Sequence, residues 1–524
     1  MRQRRFGWLN LGVGLVLLSS AFPALGIIRQ ADVNLDYVAQ AALERARKPF
    51  HSPRVDLPPF LKADQLNYDA YREIRFRRDR ALWSNTGSPY LVEFFHPGYL
   101  YEEPVRVNEF VAGHVQDIRF VSDFFDYGGH KFKQQIPANT GYAGFRVLSA
   151  LNEPGRMDEL GAFLGASYYR LLGKGQRYGQ SARGLALDCG ESDRGEEFPI
   201  FTDWWLGKPE TSDEALHLFG LLDSVSCAGA FEFHIRPGET TIADVDAVLY
   251  FRERPRVREA DPNRLPTETL GMAPLTSMFW FGPASEARFN DYRPAVHDSD
   301  GLLMSFGTGE VLWRPLDDPP RLVHQRFMTT NLLGFGLLQR NRDLNAYQDI
   351  FNCYHQVPSV WVQPRGNWGE GTVNLVELNT RYEGLDNIVA FWSPKEIPQP
   401  LHPLRFSYTE FWTRENDRTL STNRVVNTMI GGDVGTPSRR QIAVDFQGPA
   451  LNGITEEDPP QAVSSCSENG AIVDSQVIKV PGTPIWRIML KVDRKDENPI
   501  DVRCTLTRGS KPITETWTDS LNQP

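Results

Sequence analysis

The chain has little cysteine for its length of 524 residues, and its five cysteines are widely separated. Disulfide frameworks use an even, dense set of cysteines, and many structural zinc sites use closely spaced C-x-x-C pairs. Neither pattern occurs here. Cys466 and Cys504 could form one bridge in an oxidising compartment, or both could be buried thiols. The sequence therefore gives no sign of a disulfide framework, and we expect no metal site.

The signatures of several large enzyme classes are also missing. The sequence contains no H-E-x-x-H, no P-loop and no dinucleotide-binding fingerprint. Gly179-Gln-Ser-Ala-Arg-Gly184 approaches a nucleophile elbow, but its second glycine stands one residue too late. These absences argue against a protease, esterase, kinase or dehydrogenase, and we expect no cofactor.

Positive charge is not clustered beyond the first few residues. The formal net charge is −10, and no block of lysine and arginine follows the N-terminus. Nucleic acids and anionic membrane surfaces are bound through clustered cations. We therefore expect neither nucleic acid nor nucleotide as a partner, whereas a neutral polymer would be indifferent to this charge.

The N-terminus carries an export signal. Arg2, Arg4 and Arg5 precede an apolar stretch at residues 11–21, and small residues follow at 23–26. This order is typical of a signal peptide, here residues 1–26 with cleavage near Gly26. An uncleaved anchor is the alternative, although no other run of about 18 apolar residues follows.

The periodicity of the remaining chain predicts an all-β protein. One helix is expected where Leu35, Val38, Ala42 and Ala46 recur at helical spacing. Elsewhere apolar and polar residues alternate, as in Val245 and its neighbours, and glycine and proline punctuate the chain closely. Because long helical patterns between strands are missing, a large antiparallel β-sandwich fits better than a doubly wound parallel sheet.

A proline-rich stretch at residues 394–403 is predicted to link two domains. Before it lies the large sandwich, residues 27–393. Residues 404–524 alternate cleanly, for example at Ile442, Val444 and Phe446, and the segment has the size of an immunoglobulin-like β-sandwich.

His297-Asp-Ser-Asp300 is the densest polar cluster of the chain. Three interpretations are open. The aspartates could form the D-x-D metal site of a nucleotide-sugar transferase, although export argues against a cytosolic substrate. Asp and Ser could form an Asx-turn between two strands. Asp298 could instead be a carboxylate in a cleft.

A second acidic cluster follows Glu377, at Glu383 and Asp386 in a glycine-containing loop. It is either a solvated turn or part of a site, since loops on sandwiches often carry function. Acetal hydrolysis needs one protonated and one ionised carboxyl group. The two acidic clusters could supply such a pair if the fold brings them together.

Aromatic residues make up 11% of the chain and stand beside polar residues at several places. Examples are Tyr168-Tyr-Arg170, Trp204-Trp205 and Trp361. Rings of this kind stack on sugars, or they fill the core of a large β-protein. Both interpretations stay open at each place.

Several long strings resemble the OpgG/OpgD (MdoG/MdoD) family of osmoregulated periplasmic glucan biosynthesis proteins. They are Phe163-Leu-Gly-Ala-Ser-Tyr-Tyr-Arg170, Tyr178-Gly-Gln-Ser-Ala-Arg-Gly-Leu-Ala186, Glu196-Glu-Phe-Pro199, Ala273-Pro-Leu-Thr-Ser-Met-Phe279, Trp313-Arg-Pro-Leu316, Gly334-Phe-Gly-Leu-Leu-Gln339, Asp386-Asn-Ile-Val389 and Glu515-Thr-Trp517. The resemblance runs from about residue 30 to the C-terminus. Tyr292-Arg-Pro294 is more like the OpgG branch, while Asp300 and Leu385 are like OpgD.

The resemblance implies a large β-sandwich with a long cleft, followed by an immunoglobulin-like domain. It also implies a periplasmic protein that acts on the β-1,2-linked backbone of these glucans as an inverting glucanase or transglycosylase. By position, Asp386 would be the general acid and Asp298 the general base, acting on water either directly or through a relay. Inverting pairs stand roughly 6.5–9.5 Å apart. The expected substrate-binding residues are Glu383, Tyr354, Trp361, Arg170 and Tyr169.

A different class of function is also compatible with the resemblance. The protein could bind nascent glucan without catalysis, as a partner of the inner-membrane glucosyltransferase. An enzyme needs Asp386 to hold a proton near neutral pH, whereas a binding protein does not.

Overall fold

A computed structural model describes residues 25–191, 195–253, 267–285, 290–414 and 423–521. Strands dominate these residues, which confirms the predicted all-β class. The predicted signal peptide, residues 1–26, lies outside the described residues except for Leu25 and Gly26, so its cleavage stays a prediction. Within the described ranges, no helix is both long and apolar enough to cross a membrane.

The α-helices of the described residues are α1 (Leu35–Ala46) and α2 (Tyr68–Tyr71). Helix α1 is the predicted helix: Asn34 caps it by accepting a hydrogen bond from the Tyr37 N–H at 2.9 Å, and Val38 and Ala42 are buried on one face. Short 3₁₀ turns stand at Pro59–Leu61, Arg78–Arg80, Ser122–Phe124, Lys133–Gln135, Leu344–Ala346, Tyr354–Gln356 and Pro449–Leu451.

The strands up to the middle of the chain are β1 (Leu25–Gln30), β2 (Arg75–Phe76), β3 (Tyr90–Phe95), β4 (Arg106–Val111), β5 (His114–Ile118), β6 (Phe125–Asp126), β7 (Gly144–Ser149), β8 (Asp158–Leu164), β9 (Tyr168–Leu171), β10 (Ser181–Arg183), β11 (Leu185–Leu187), β12 (Ile200–Gly207), β13 (Leu216–Asp223), β14 (Cys227–Arg236), β15 (Thr241–Phe251), β16 (Leu270–Ser277) and β17 (Phe279–Phe281).

The remaining strands are β18 (Val296–His297), β19 (Gly301–Phe306), β20 (Val311–Pro315), β21 (Val323–Thr329), β22 (Leu332–Leu338), β23 (Ser359–Pro364), β24 (Gly371–Glu377), β25 (Ile388–Pro394), β26 (Leu404–Thr413), β27 (Arg424–Asp433), β28 (Thr436–Gln447), β29 (Gln461–Cys466), β30 (Gly470–Lys479), β31 (Trp486–Arg494), β32 (Ile500–Arg508), β33 (Lys511–Pro512) and β34 (Thr516–Leu521).

Two large sheets pack face to face. The larger runs in the order β1-β5-β4-β12-β13-β14-β15-β26-β23-β22-β19-β20-β34-β32-β29, with β33 on β32. The smaller runs β21-β24-β25-β16-β10-β9-β8-β7-β3, with β11 on β16. Pairing is antiparallel except between β12 and β4 and between β20 and β34. Phe145 and Phe163 of the smaller sheet pack on Trp204 of the larger, with ring centroids 5.3 and 5.0 Å apart.

The predicted alternation is confirmed in both parts of the chain. Val245, Ala247 and Leu249 of β15 face the core between the two large sheets. Near the C-terminus, the sheet β27-β28-β31-β30 covers a second core, which includes Ile442 and Val444. All five cysteines are free thiols, so the possible Cys466–Cys504 bridge is absent.

Strand β26 follows the predicted linker in the sequence, but it belongs to the large sheet formed mainly by residues before the linker. The residues directly after the proline-rich stretch pair with β15 and β23 in the middle of the large sheet. Trp412 of this strand is fully buried in the core between the large sheets. Proline marks a break in the chain but carries no information about the next strand's neighbours. The division into two domains stays a prediction, and a boundary at residue 404 does not follow the strand pairing.

Candidate functional site

Strand β9 brings aromatic and charged side chains to the wall of a cavity of about 550 Å³. Because side chains alternate along a strand, Tyr168 and Arg170 are partly exposed while Tyr169 and Leu171 are buried. Aromatic residues line much of the cavity, among them Tyr68, Tyr101, Phe163, Tyr168, Tyr178 and Trp204. Charged lining residues are Glu103, Glu159, Arg170 and Asp386. This cavity, called the groove below, is thus lined by aromatic rings together with a few charged groups.

Asp386 is held at this cavity by its neighbour in the chain. Asn387 accepts a hydrogen bond from the Phe279 N–H at 2.9 Å and donates to the carbonyls of Phe279 and Leu378 at 2.9 and 2.8 Å. This fixes the end of the loop just before β25. The Asp386 carboxylate Oδ2 lies 3.7 Å from Nη2 of Arg170, and 30% of the Asp386 side chain is exposed.

Asp298 lies in a more enclosed position directly after β18. Its N–H donates to the Met278 carbonyl at 2.8 Å. A side chain at Gly179 would meet it, because a Cβ there would stand 3.0 Å from Asp298 Oδ1. Only 9% of Asp298 is exposed. Burial, together with the charge of Asp386, raises the pKa of Asp298 to about 8.

The Asp298 and Asp386 carboxyl groups therefore interact electrostatically, although 87 residues separate them in the chain. The charge of Asp386 raises the proton affinity of Asp298, and the Arg170 guanidinium lowers it. Asp298 therefore carries a proton at neutral pH, while Asp386 is partly exposed to solvent beside the Arg170 cation. One enclosed protonated carboxyl next to one exposed carboxyl is an arrangement suited to acid–base chemistry.

Glu383 anchors the loop that carries Asp386. Its Oε2 accepts hydrogen bonds from Arg293 Nη1 at 2.6 Å and from the Tyr354 hydroxyl at 2.9 Å. Arg293 also forms ion pairs with Asp291 at 2.7 Å and Asp349 at 2.8 Å. These carboxylates raise the pKa of Arg293, so its charge is fixed. Glu383 thus joins the loop to a nearly buried arginine with three carboxylate partners.

Comparison with known proteins identifies the family. A family model described as "Periplasmic glucan biosynthesis protein, MdoG" matches residues 33–521. The chain belongs to this family. It is 41% identical over 520 residues to glucans biosynthesis protein G of Ralstonia nicotianae, covering 97% of this chain and 99% of the relative. Identity to the proteins of that name from Pectobacterium atrosepticum and Pectobacterium carotovorum is 38% and 37%, each over 98% of this chain and 96% of the relative.

This MdoG-family fold gathers six of the seven expected site residues into one neighbourhood, including Tyr169, which lines the same cavity as Arg170 and Asp386. Asp386 and Arg170 are an ion pair at the cavity. The Tyr354 hydroxyl donates a hydrogen bond to Glu383. The charge of Glu383 raises the pKa of Asp298, and the charge of Asp298 raises the pKa of Tyr354. The family model and the relatives confirm the family resemblance, and the roles of these residues stay predictions.

Tyr169 and Trp361 are both buried, and their roles as sugar contacts stay predictions. Tyr169 is 1% exposed, and its hydroxyl donates to Glu410 Oε1 at 2.6 Å. Trp361 is 3% exposed and packs on Gly334, where a Cβ would stand 2.3 Å from its ring. The presence of an aromatic residue in the sequence does not show whether its ring faces the core or the surface.

His297 and Asp300, in the same cluster, each have a polar partner of their own. His297 Nδ1 lies 2.9 Å from Gln339 Oε1, and its ring stacks on Phe279 with centroids 5.2 Å apart. Asp300 Oδ2 accepts from the Arg340 N–H at 3.0 Å. Asp298 and Asp300 thus have separate surroundings, which argues against a D-x-D metal pair and favours the carboxylate in a cleft.

Sequence reasoning missed two supports of the site. Arg293 was visible only as part of Tyr292-Arg-Pro294, and nothing indicated its three acidic partners. Arg183 lies under Tyr168, with its Cζ 4.6 Å from the ring centroid, and donates to Thr276 Oγ1 at 2.8 Å. This contact holds Tyr168 in place as a ring at the cavity wall.

Proposed function

We propose that this chain binds the backbone of a β-1,2-linked glucan in the groove and cleaves or transfers it with inversion, using Asp386 and Asp298. The observation that carries the proposal is the pairing of an enclosed carboxyl, whose pKa is raised to about 8, with an exposed carboxyl at an aromatic-lined cavity. Family membership in periplasmic glucan biosynthesis supplies the substrate class.

The lining of the cavity suits an uncharged saccharide. Tyrosine and tryptophan rings present flat apolar faces to the C–H groups of a sugar, and tyrosine hydroxyls can bond its hydroxyls. Tyr178 already donates to Glu159 Oε1 at 2.8 Å, so one such hydroxyl has a fixed direction. Arg170 and Asp386 form an ion pair with each other, so neither of these two charges demands an ionic ligand.

The chemistry needs one protonated and one ionised carboxyl group. Asp298 is the carboxyl group that holds a proton at neutral pH. For the assigned roles, glucan binding has to transfer this proton to Asp386. Once Asp386 is protonated, its charge no longer opposes ionisation of Asp298. Asp386 can then protonate the glycosidic oxygen, and Asp298 can activate a water. A positioned acid or base contributes about 10²–10⁴-fold to the rate.

The test uses purified protein and linear β-1,2-glucan. We expect shortened or transferred chains, with product of inverted anomeric configuration seen by proton NMR at early times. Asp386→Asn should lose product formation by at least about 10²-fold while glucan binding, measured by calorimetry, is retained. Asp64→Asn, at an exposed aspartate, is the matched control. Full activity in Asp386→Asn would refute this assignment.

The two roles can be separated with activated substrates. A β-1,2-gluco-oligosaccharide with a good aryl leaving group needs little acid assistance, so it should restore cleavage in the acid variant and not in the base variant. Azide should restore cleavage in the base variant by forming a glycosyl azide. If rescue follows the reverse order, Asp298 is the acid, in keeping with its raised pKa.

If the protein binds glucan tightly but forms no product from any β-1,2-glucan, the non-catalytic role is the better explanation. The chain would then receive nascent glucan from the inner-membrane glucosyltransferase. Either function requires periplasmic location, which we propose from the family description and the N-terminal export signal. Cell fractionation checks the location.

A further inference from the structure

A cluster of side chains that could bind a metal ion lies on strands β13 and β14. His217 and His234 are direct partners across the two strands. Glu232 stands two residues before His234, so the strand alternation places it on the same face. The Nε2 atoms of His217 and His234 lie 2.8 and 3.1 Å from the same oxygen, Oε1 of Glu232. The two rings are stacked, with centroids 4.0 Å apart.

This cluster lies on the opposite face of the large sheet from the candidate groove. Leu216 and Leu218, on either side of His217, point into the core between the two sheets. The ring of His217 instead contacts Phe219 and Phe110, with centroids 4.6 and 5.8 Å away. These two phenylalanines belong to the face that helix α1 covers. The cluster therefore has no part in the groove chemistry.

The three side chains are open to solvent on one side. Their exposed fractions are 33% for His217, 19% for Glu232 and 39% for His234. The neighbouring carboxylate, Asp244, pairs across from His234 and is already bound by Arg236 and Thr409, each at 2.6 Å. An ion could reach the cluster from solvent and keep one coordination position for water.

We propose that His217, Glu232 and His234 form a zinc site. Two imidazole nitrogens and one carboxylate oxygen are a ligand set that zinc uses, with an open fourth position. The three ligand atoms all lie within 4.8 Å of one another. Ligands at about 2.1 Å from a tetrahedral ion stand about 3.4 Å apart. The two nitrogen–oxygen spacings of 2.8 and 3.1 Å need to widen by about 0.6 and 0.3 Å, with the ring nitrogens giving up their protons to bind the ion.

A zinc ion here would join two central strands of the large sheet through side chains, in addition to their backbone hydrogen bonds. Ligands from both strands make the site dependent on correct pairing of β13 with β14. Zinc should thus bind the native chain and raise its melting temperature. Ligand softness favours zinc, copper and nickel over calcium and magnesium at two imidazoles.

The test uses tag-free protein, stripped with a chelator and titrated with zinc alone. We expect calorimetry and elemental analysis to give one zinc per chain, and zinc to raise the melting temperature. When Co²⁺ replaces zinc, we expect the visible d–d absorption that is typical of cobalt in a site of low coordination symmetry. His217→Gln and His234→Gln should each lose the zinc-induced shift and the cobalt spectrum. His402→Gln, at an exposed histidine outside the cluster, should keep both.

Melting curves without zinc establish that the variants fold. If a glutamine variant does not fold, Glu232→Asp takes its place, because it keeps the charge and shortens the reach to both rings. Wild-type protein that binds no zinc overturns the proposal. So does equal zinc binding in wild type and in folded His217→Gln and His234→Gln proteins, since the ion would then be held elsewhere. Glucan cleavage is independent of either result.

Discussion

Asp298 should cost the native protein stability at alkaline pH, so Asp298→Asn is expected to stabilise it there. Between the unfolded-state pKa near 3.8 and the native value of about 8, the native chain holds a proton that the unfolded chain has lost. Stability therefore falls as pH rises through this window. The neutral amide of asparagine has nearly the same shape and removes this dependence.

The size of the effect follows from the same two pKa values. Each tenfold change in proton affinity corresponds to about 1.4 kcal/mol, so the upper bound is about 6 kcal/mol above pH 8. Relaxation and water entry reduce the cost of a buried charge, and we expect a gain of about 2–6 kcal/mol. For 524 residues, the unfolding entropy is about 1.1 kcal/mol/K, which gives a rise of about 2–6 °C.

The assay is thermal unfolding followed by circular dichroism at about pH 4.5 and pH 8.5, below and above most of the window. Asp298→Asn should melt above wild type at the higher pH and close to it at the lower pH. Asp64→Asn, at an exposed aspartate, should track wild type at both. The reasoning is refuted if Asp298→Asn shows no gain at the higher pH, or the same gain at both.

Three further predictions concern the groove. Arg293→Ala should lower the free energy of unfolding by about 3–5 kcal/mol, because it leaves three carboxylates without their cation; thermal melting measures this, and Arg293→Lys should recover only part. Tyr168→Ala should weaken glucan binding about tenfold by calorimetry, as expected for a lost stacking ring, whereas Tyr169→Phe should lower the melting temperature and leave glucan affinity unchanged. In pH profiles, kcat/KM for β-1,2-glucan should fall as pH rises through about 8, where Asp298 loses the last proton of the pair, and Arg170→Met should move that fall to higher pH.

Each of these has a clear contrary result. An unchanged melting temperature in Arg293→Ala would mean that the ion pairs are not formed in solution. Equal loss of glucan affinity in Tyr168→Ala and Tyr169→Phe would place both rings against the ligand, against the strand alternation. A profile that shifts to lower pH in Arg170→Met would mean that the guanidinium does not favour the ionised form of Asp298.

Local pattern was enough to predict the fold class. Val245, Ala247 and Leu249 alternate because a strand turns successive side chains to opposite faces, and that periodicity is written within a few residues. The same holds for the buried face of α1 and for Ile442 and Val444 near the C-terminus. The long family strings also lie within continuous stretches, and the family comparison confirms them.

The tertiary structure decided which strands pair with each other and which side chains are buried. Residue patterns placed Tyr169 and Trp361 among sugar contacts, but strand direction buries both. They did not indicate that β26 joins β15 and β23, nor that His217 faces His234.

What the sequence determined by itself was the class of the fold, the family and a set of candidate acids. Which acid is enclosed and holds a proton was decided only in three dimensions. The physical reason is that periodicity is a local property of the chain. The pKa of Asp298 instead depends on burial and on the charges of Asp386 and Arg170, which strand pairing brings to it from distant positions.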